Sequence, residues 1–285
     1  MAEASGSTLG ALTAPRAAAE FLQGYWPGKA FIAHGSPARL PAFLRASELA
    51  SVDALARVYR GKLRFTRGRA YQKMVAIDQV SATSLYRMGL TVQFEDIAPF
   101  VPDAAPALRR LEAELGIPTG SARVSVFSSP QTDGLSEHFD AQDLFSIQLK
   151  GTKRFRFAPV HELPYPSGTQ FVPGTEPFDF LYPQVAGGFP DPSSAVFEAV
   201  DMQPGSVLYI PRGTWHATES GGEVFSIGSA AKIGEVTKRI EEELRSQYIV
   251  AFRSDSTKPD GEYRAVSVAI AKPAVTARTI RGYIP

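Results

Sequence analysis

The stretch SEHFDAQDLFSIQLKGTKRFRFAP, residues 136–159, decides the fold, because apolar and polar residues alternate through most of it. Residues 144–150 and 153–159 each follow a period of two, which is typical of half-buried β-strands. Gly151 and Thr152 separate the two runs, so we expect a tight β-hairpin with the glycine at a positive φ angle. The centre of the chain is therefore predicted to be β-structure.

More strands are expected on both sides of this stretch, at residues 122–129, 195–202, 207–211 and 223–229. Residues 161–194 are rich in proline, glycine and phenylalanine and fit no regular element. A connection of that length in a compact domain is often functional, so we expect a substrate lid there. Together the strands predict a mainly β fold.

The flanking regions are predicted to be more helical. Residues 1–15 are expected to form a mobile tail, followed by short helices near residues 19–25, 51–60 and 81–88. A clearer helix follows Asp103, which is placed to cap it, and Gly116 can end it in the left-handed conformation. After Ala231 an amphipathic helix and a closing hairpin are expected. We thus divide the chain into a tail (1–15), a catalytic domain (16–231) and a C-terminal extension (232–285).

The composition limits the partners and the metal ligands that this chain can have. The 30 basic and 29 acidic residues give a formal charge of +1, so we expect no nucleic acid as primary partner. The 285-residue chain has no cysteine, so a transition metal would have to bind imidazole and carboxylate groups, which suit Fe(II), Mn(II), Ni(II) or Zn(II). No leader pattern or stretch of membrane-spanning length is evident. We therefore expect a cytoplasmic protein with no membrane partner.

Three residues form a candidate metal site. His138 and Asp140 lie two positions apart, which on a strand turns both side chains to the same face. A lone His-x-Asp is more often a surface turn, but a second histidine, His216, follows the strand-like segment MQPGSVLYIPRGTW. Two imidazoles and a carboxylate leave positions of an octahedral Fe(II) open for a bidentate co-substrate and O₂. The pattern thus predicts His138, Asp140 and His216 as metal ligands and catalytic residues.

The sequences HFDAQDLFSIQLKGTKRFRF and QPGSVLYIPRGTWHATES resemble the Jumonji-C oxygenases. The resemblance is to the bacterial ribosomal-protein hydroxylases and to the asparaginyl hydroxylase of hypoxia-inducible factor in particular. It is strong over residues 122–230, and FLQGYWPGKAFIAHG is similar to the segment that opens these domains. The resemblance implies a double-stranded β-helix (cupin or jelly-roll) core, flanked here by N-terminal helices and a C-terminal helix and hairpin. It further implies Fe(II) at the three ligands and 2-oxoglutarate and O₂ as co-substrates.

The same resemblance suggests the residues that bind 2-oxoglutarate. Lys153 matches the family's basic residue that pairs with the far carboxylate. The asparaginyl hydroxylase has a threonine three residues before its first iron ligand, whereas this chain has Leu135. The hydroxyl partner of 2-oxoglutarate therefore stays open, with Ser136, Ser125 and Ser226 as candidates.

Several functions remain open on this basis. Family analogy favours hydroxylation of a protein or peptide side chain, with a small metabolite or natural product as the alternative substrate. A cupin that binds metal without oxidising anything is the rival from another class, and Lys153 argues against it. A cupin with three histidines and a glutamate as ligands is hard to assemble from four histidines. The C-terminal extension is a candidate homodimer contact.

Overall fold

The structure is a computed structural model that describes residues 6–66, 74–76, 80–130, 134–159, 163, 166–167, 183–185, 189–221, 264–265 and 282–283. The chain divides into two compact units, residues 1–226 and 227–285. The predicted domain boundary near residue 231 remains a prediction.

The helices of the first unit lie mainly before the central strands. They are α1 (Thr8–Thr13), α2 (Ala18–Gly24), α3 (Val52–Val58), α4 (Val80–Arg87) and α5 (Ala104–Leu115). Short 3-10 turns occupy Pro37–Arg39, Ala42–Arg45, Ser47–Leu49, Ala98–Phe100 and Pro192–Ser194. α5 ends as predicted at Gly116, whose φ is 69°. Asp103 stands at its N-cap, but its side chain makes no capping hydrogen bond.

The strands of the first unit are β1 (Phe31–Ala33), β2 (Leu63–Thr66), β3 (Met74–Ala76), β4 (Thr91–Phe94), β5 (Val126–Ser128), β6 (Gly134–His138), β7 (Leu144–Ile147), β8 (Thr152–Pro159), β9 (Glu198–Met202), β10 (Val207–Ile210) and β11 (Thr214–Gly221). They form three antiparallel sheets with the orders β1-β10-β7, β6-β11-β8-β9 and β3-β2-β4-β5.

Two of these sheets form the double-stranded β-helix. Inward side chains of β8 and β9 pack against those of β10 in one apolar cluster that contains Phe155, Met202, Leu208 and Ile210. The other face of β10 presents Val207 and Tyr209 to a larger core built with the N-terminal helices and the third sheet. The predicted mainly β fold with flanking N-terminal helices is confirmed.

The prediction of a hairpin between β7 and β8 is wrong. β7 pairs with β10, whereas β8 pairs with β11 and β9, so the two strands belong to different sheets. Gly151 has the expected positive φ of 62°, but the turn carries the chain from one sheet to the other. Periodicity reports which residues face the core, and here both strands bury their alternate residues against different partners.

The expectation of a mobile tail over residues 1–15 is also wrong for Thr8–Thr13. These residues form α1, and Leu9 and Leu12 are buried in the main core. Arg39 fixes this helix, because its Nη1 donates to the carbonyl oxygens of Ala11 and Leu12 at 2.8 and 3.1 Å. Its Nη2 donates to two further carbonyls, Ala33 of β1 and Gly205, at 3.2 and 2.9 Å. One guanidinium thus joins α1, β1 and the turn before β10.

In the second unit, the structure describes two short strands, β12 (Arg264–Ala265) and β13 (Gly282–Tyr283), which pair antiparallel. The predicted helix after Ala231 and the first strand of the predicted closing hairpin lie outside the described residues. Among the described residues, no helix is long and apolar enough to cross a membrane.

The turn before β10 requires a glycine at position 205. Gly205 has a φ of 92°, and a Cβ built on it would lie 2.1 Å from the carbonyl oxygen of Gly35 and 2.7 Å from the backbone nitrogen of Pro37. Gly120 has a similar φ of 84°, but a Cβ there would meet nothing within 4 Å. Alanine substitutions at these two glycines therefore separate the free-energy cost of the positive φ angle from the cost of the close approach of the backbone.

We expect Gly205→Ala to lower the free energy of unfolding by about 2–5 kcal/mol, because left-handed strain and a backbone clash add. Gly120→Ala is the control and should cost about 1–2 kcal/mol, from the φ angle alone. Urea denaturation followed by circular dichroism measures both. Equal losses in the two variants would contradict the close packing of Gly205 against residues 35–37.

Candidate metal centre

Two histidines face each other across neighbouring strands. His138 ends β6, His216 lies in β11, and the two residues are direct partners in the antiparallel ladder. Their ring centroids are 4.1 Å apart, and the residues are 2% and 4% exposed. A shared rung turns both side chains to the same face of the sheet, which brings the imidazoles together.

Backbone carbonyls orient both rings. His138 Nδ1 lies 2.7 Å from the carbonyl oxygen of Ser136, and His216 Nδ1 lies 3.0 Å from that of Thr214. A carbonyl can only accept, so each Nδ1 carries the proton and donates it. The Nε2 lone pair of each ring is then available for a metal, which is the usual second-sphere arrangement of metal-binding histidines.

Asp140 completes a group of three possible ligands. It follows β6, and its Oδ2 lies 3.7 Å from Nε2 of His216. One ligand atom from each of His138, Asp140 and His216 lies within 4.8 Å of the others. A divalent cation between the two imidazoles and the carboxylate would bind all three. The donor set and its spacing therefore fit a single metal ion.

A network of hydrogen bonds links the segment that carries Asp140 to the turn that precedes His216. The backbone nitrogen of Gly213, just before β11, donates to the carbonyl oxygen of Asp140 at 2.9 Å. Asp143 Oδ2 accepts from Nη2 and Nε of Arg212 at 2.8 and 3.2 Å, and its Oδ1 accepts from Tyr209 Oη at 2.9 Å. Burial, followed by the Asp143 charge, raises the pKa of Tyr209, so its phenol stays protonated.

Lys153 lies on the same inner face as the histidines. Alternate residues of β8 face alternate residues of β11. Phe157 is the partner of His216, and Phe155 is the partner of Thr218. Lys153 is the partner of Ser220. The other neighbour of Lys153 is Met202 of β9, which is fully buried in the inner cluster. Lys153 itself is half-buried. Lys153 therefore belongs to the inward-facing residues of β8, four residues before Phe157, which is the partner of His216.

The candidate serines are distributed differently. Ser136 lies in β6 beside His138, at an irregularity of the β6–β11 register. Ser125 is exposed beside β5 in the third sheet, and its Oγ accepts from the backbone nitrogen of Asp96 at 3.3 Å. The structure does not bring Ser125 to the strands of the histidines. Ser226 lies outside the described residues, as does most of the predicted lid.

Two residues of the polar network, Asp143 and Arg212, were not predicted from sequence. The available signal was Asp143, three residues after the His-x-Asp motif, and Arg212 in the turn before His216, both at strand ends. Charged residues at such positions are usually solvated, so their pairing needed the structure. Trp215 packs with Phe139 on the outer face, opposite His216.

A β-helix with two imidazoles and one carboxylate at neighbouring strand ends defines the class of this protein: a cupin-type domain with a site for one metal ion. Residues 109–235 match the family model of the JmjC domain.

Similar proteins have been found along most of the chain. The uncharacterized protein YxbC of Bacillus subtilis (strain 168) is 27% identical over 233 residues, which cover 77% of this chain and 69% of that protein. Ribosomal oxygenase 2 of Mus musculus is 30% identical over 144 residues, covering 48% of this chain and 26% of that protein. The chain thus spans about a quarter of this ribosomal oxygenase.

A solved structure of YcfD from Escherichia coli is 17% identical and has a TM-score of 0.47; the alignment covers 91% of this chain and 63% of that chain. A second YcfD structure, a complex with cobalt and 2-oxoglutarate, has a TM-score of 0.45 and 17% identity, with 91% of this chain and 62% of that chain covered.

We expect Asp143→Asn to weaken metal binding about tenfold, because the charge that holds Arg212 and the turn before β11 is lost. Mn(II) titration followed by electron paramagnetic resonance measures the dissociation constant. Glu20→Gln is the control, since it removes the charge of an exposed carboxylate that pairs with Arg16 at 3.2 Å. Unchanged Mn(II) affinity in Asp143→Asn would show that the network does not position the ligands.

Proposed function

We propose that this protein is an Fe(II)- and 2-oxoglutarate-dependent oxygenase that hydroxylates a protein or peptide side chain. The observation that carries the proposal is the group His138, Asp140 and His216 on adjoining strand ends, with Lys153 on the same inner face. The match of residues 109–235 to the family model of the JmjC domain supports it. Such a metal, with 2-oxoglutarate bound, supplies an oxidant from O₂ while the co-substrate becomes succinate and CO₂.

Each residue of the site would have a separate role in binding the metal or the co-substrate. Nε2 of His138 and of His216 and the carboxylate of Asp140 would hold Fe(II) on one side, which leaves its other side open. The Lys153 ammonium would pair with the far carboxylate of 2-oxoglutarate, because a charge-assisted hydrogen bond between an ammonium and a carboxylate is among the stronger ones. Phe155 and Phe157 line the inner face between these groups and would exclude water from the co-substrate.

The substrate class comes from the relatives. Ribosomal oxygenase 2 acts, by its name, on the ribosome, and a matching protein of Drosophila willistoni is called a bifunctional lysine-specific demethylase and histidyl-hydroxylase. We therefore propose a ribosomal protein as the first substrate to test, which would also place the activity in the cytoplasm. A homodimer through residues 232–285 remains a prediction, since most of those residues lie outside the described structure.

Succinate formation tests the oxygenase proposal. The protein is purified without oxygen, given Fe(II), 2-oxoglutarate and O₂, and compared with His138→Ala and Lys153→Ala. We expect His138→Ala to reduce turnover to background. Lys153→Ala should reduce kcat/KM for 2-oxoglutarate about tenfold or more, because a charge-assisted hydrogen bond is lost.

Arg154→Ala is the matched control for Lys153→Ala. Arg154 is the next residue of β8, on the opposite face, where it pairs with Asp201 at 3.8 Å. Its removal should leave turnover unchanged. Metal binding without 2-oxoglutarate turnover in the unaltered protein would overturn the oxygenase proposal and favour a cupin that does not oxidise.

Protein hydroxylation is tested separately on ribosomes isolated from the native host. Incubation with the active enzyme should add one oxygen atom to a side chain of one ribosomal protein, measured by mass spectrometry of the digested ribosome. His138→Ala should leave that mass unchanged. Succinate formation that small metabolites stimulate and ribosomal proteins do not would contradict the protein substrate and favour the small-molecule alternative.

A further inference from the structure

Thr218 is a buried polar residue on the inner face of the metal-binding sheet. It lies two positions after His216 on β11, so both side chains turn to the same face. It is 7% exposed, and its Cα partners are Phe155 of β8 and Leu135 of β6. A threonine between a phenylalanine and a leucine has few polar neighbours for its hydroxyl.

The hydroxyl of Thr218 has one known role. Its Oγ1 accepts a hydrogen bond from the backbone nitrogen of Leu135 at 3.1 Å. A hydroxyl can also donate, and within the described part of the chain no acceptor takes its hydrogen. Buried donors are rarely left unpaired, because losing water without gaining a partner is costly. The inner face therefore offers a hydrogen-bond donor next to His216.

Strand geometry places this donor between the metal ligands and Lys153. A rise of about 3.4 Å per residue puts Thr218 about 7 Å along β11 from His216. Lys153 is the partner of Ser220, so it is a diagonal neighbour of Thr218, with Cα atoms about 7–8 Å apart. An extended five-carbon diacid with one end at the metal would bring its other carboxylate to this level of the sheet.

We infer that Thr218 is a co-substrate-binding residue whose hydroxyl donates to the far carboxylate of 2-oxoglutarate, beside the Lys153 ammonium. The inference rests on the proposed function and adds to it the hydroxyl partner. Leu135, on the same rung, has no hydroxyl to offer, and Ser125 lies in another sheet. The hydroxyl would remain an acceptor for Leu135 and become a donor to the carboxylate, so both of its capacities would be used.

A pair of ligands tests this without turnover. 2-Oxopentanoate carries a methyl group where 2-oxoglutarate carries its far carboxylate, so the ratio of their dissociation constants reports recognition of that carboxylate. Calorimetry on the Mn(II)-loaded protein without oxygen gives both constants. We expect Thr218→Val to reduce the preference for 2-oxoglutarate about tenfold, as for a lost hydrogen bond to a charged group. Thr218→Ser should restore it.

Thr8→Val is the control, because Thr8 is also buried but belongs to α1. It should leave the preference unchanged. Thr218→Ala, which leaves room for a water at Leu135, replaces Thr218→Val if that variant does not fold. The ratio is internal to each variant, so a general loss of stability would not alter it.

The outcomes separate this inference from the proposed function. If Lys153→Ala loses the preference and a folded Thr218→Val keeps it within about twofold, Thr218 is only structural and the inference fails alone. If the unaltered protein shows no preference for 2-oxoglutarate, the proposed function fails, and the inference with it. A preference lost in both Lys153→Ala and Thr218→Val, and restored in Thr218→Ser, supports both.

Discussion

The rest of the site depends on the rung of the β6–β11 ladder that pairs His138 with His216. This pairing brings two imidazoles from residues far apart in the chain to a centroid distance of 4.1 Å. The carbonyls of Ser136 and Thr214 then fix which nitrogen of each ring is free. Asp140 lies two residues after His138, just beyond the end of β6, so this one pair of residues fixes the positions of all three ligands. A slip of one residue would turn a histidine to the outer face and remove the site.

Several hydrogen bonds and ion pairs outside the β6–β11 ladder stabilise the segments around it. Asp143 ties the loop after β6 to the turn before β11 through Arg212, and Arg39 ties α1, β1 and the turn before β10 together. These contacts use charged groups that are partly shielded from water, where a lost partner leaves a desolvated charge behind. The outer face of the sheet is closed by the cluster around Trp215 and Phe139. The two histidines thus lie on paired strands and Asp140 lies just after one of them, which suits a site that must keep a fixed open coordination side.

Much of this arrangement could be predicted from the sequence, because the informative features are local. The spacing of His138 and Asp140, the period-two strands, and the positive φ angles at Gly116 and Gly151 each depend on a few neighbouring residues. The errors concern partners far along the chain. Alternation could not tell that β7 and β8 join different sheets, and the short segment at residues 8–13 gave no sign that Arg39 would hold it. The burial of Thr218 between Phe155 and Leu135 was likewise hidden, since it depends on the register of three strands.

The most direct test of the account is a crystal structure grown without oxygen with Mn(II) and 2-oxoglutarate, in which anomalous scattering locates the metal. We expect one manganese peak bonded to Nε2 of His138, Nε2 of His216 and the Asp140 carboxylate. We also expect 2-oxoglutarate on the inner face, with its far carboxylate against Lys153. Manganese at other residues, or 2-oxoglutarate bound away from the inner face of β8 and β11, would contradict the account.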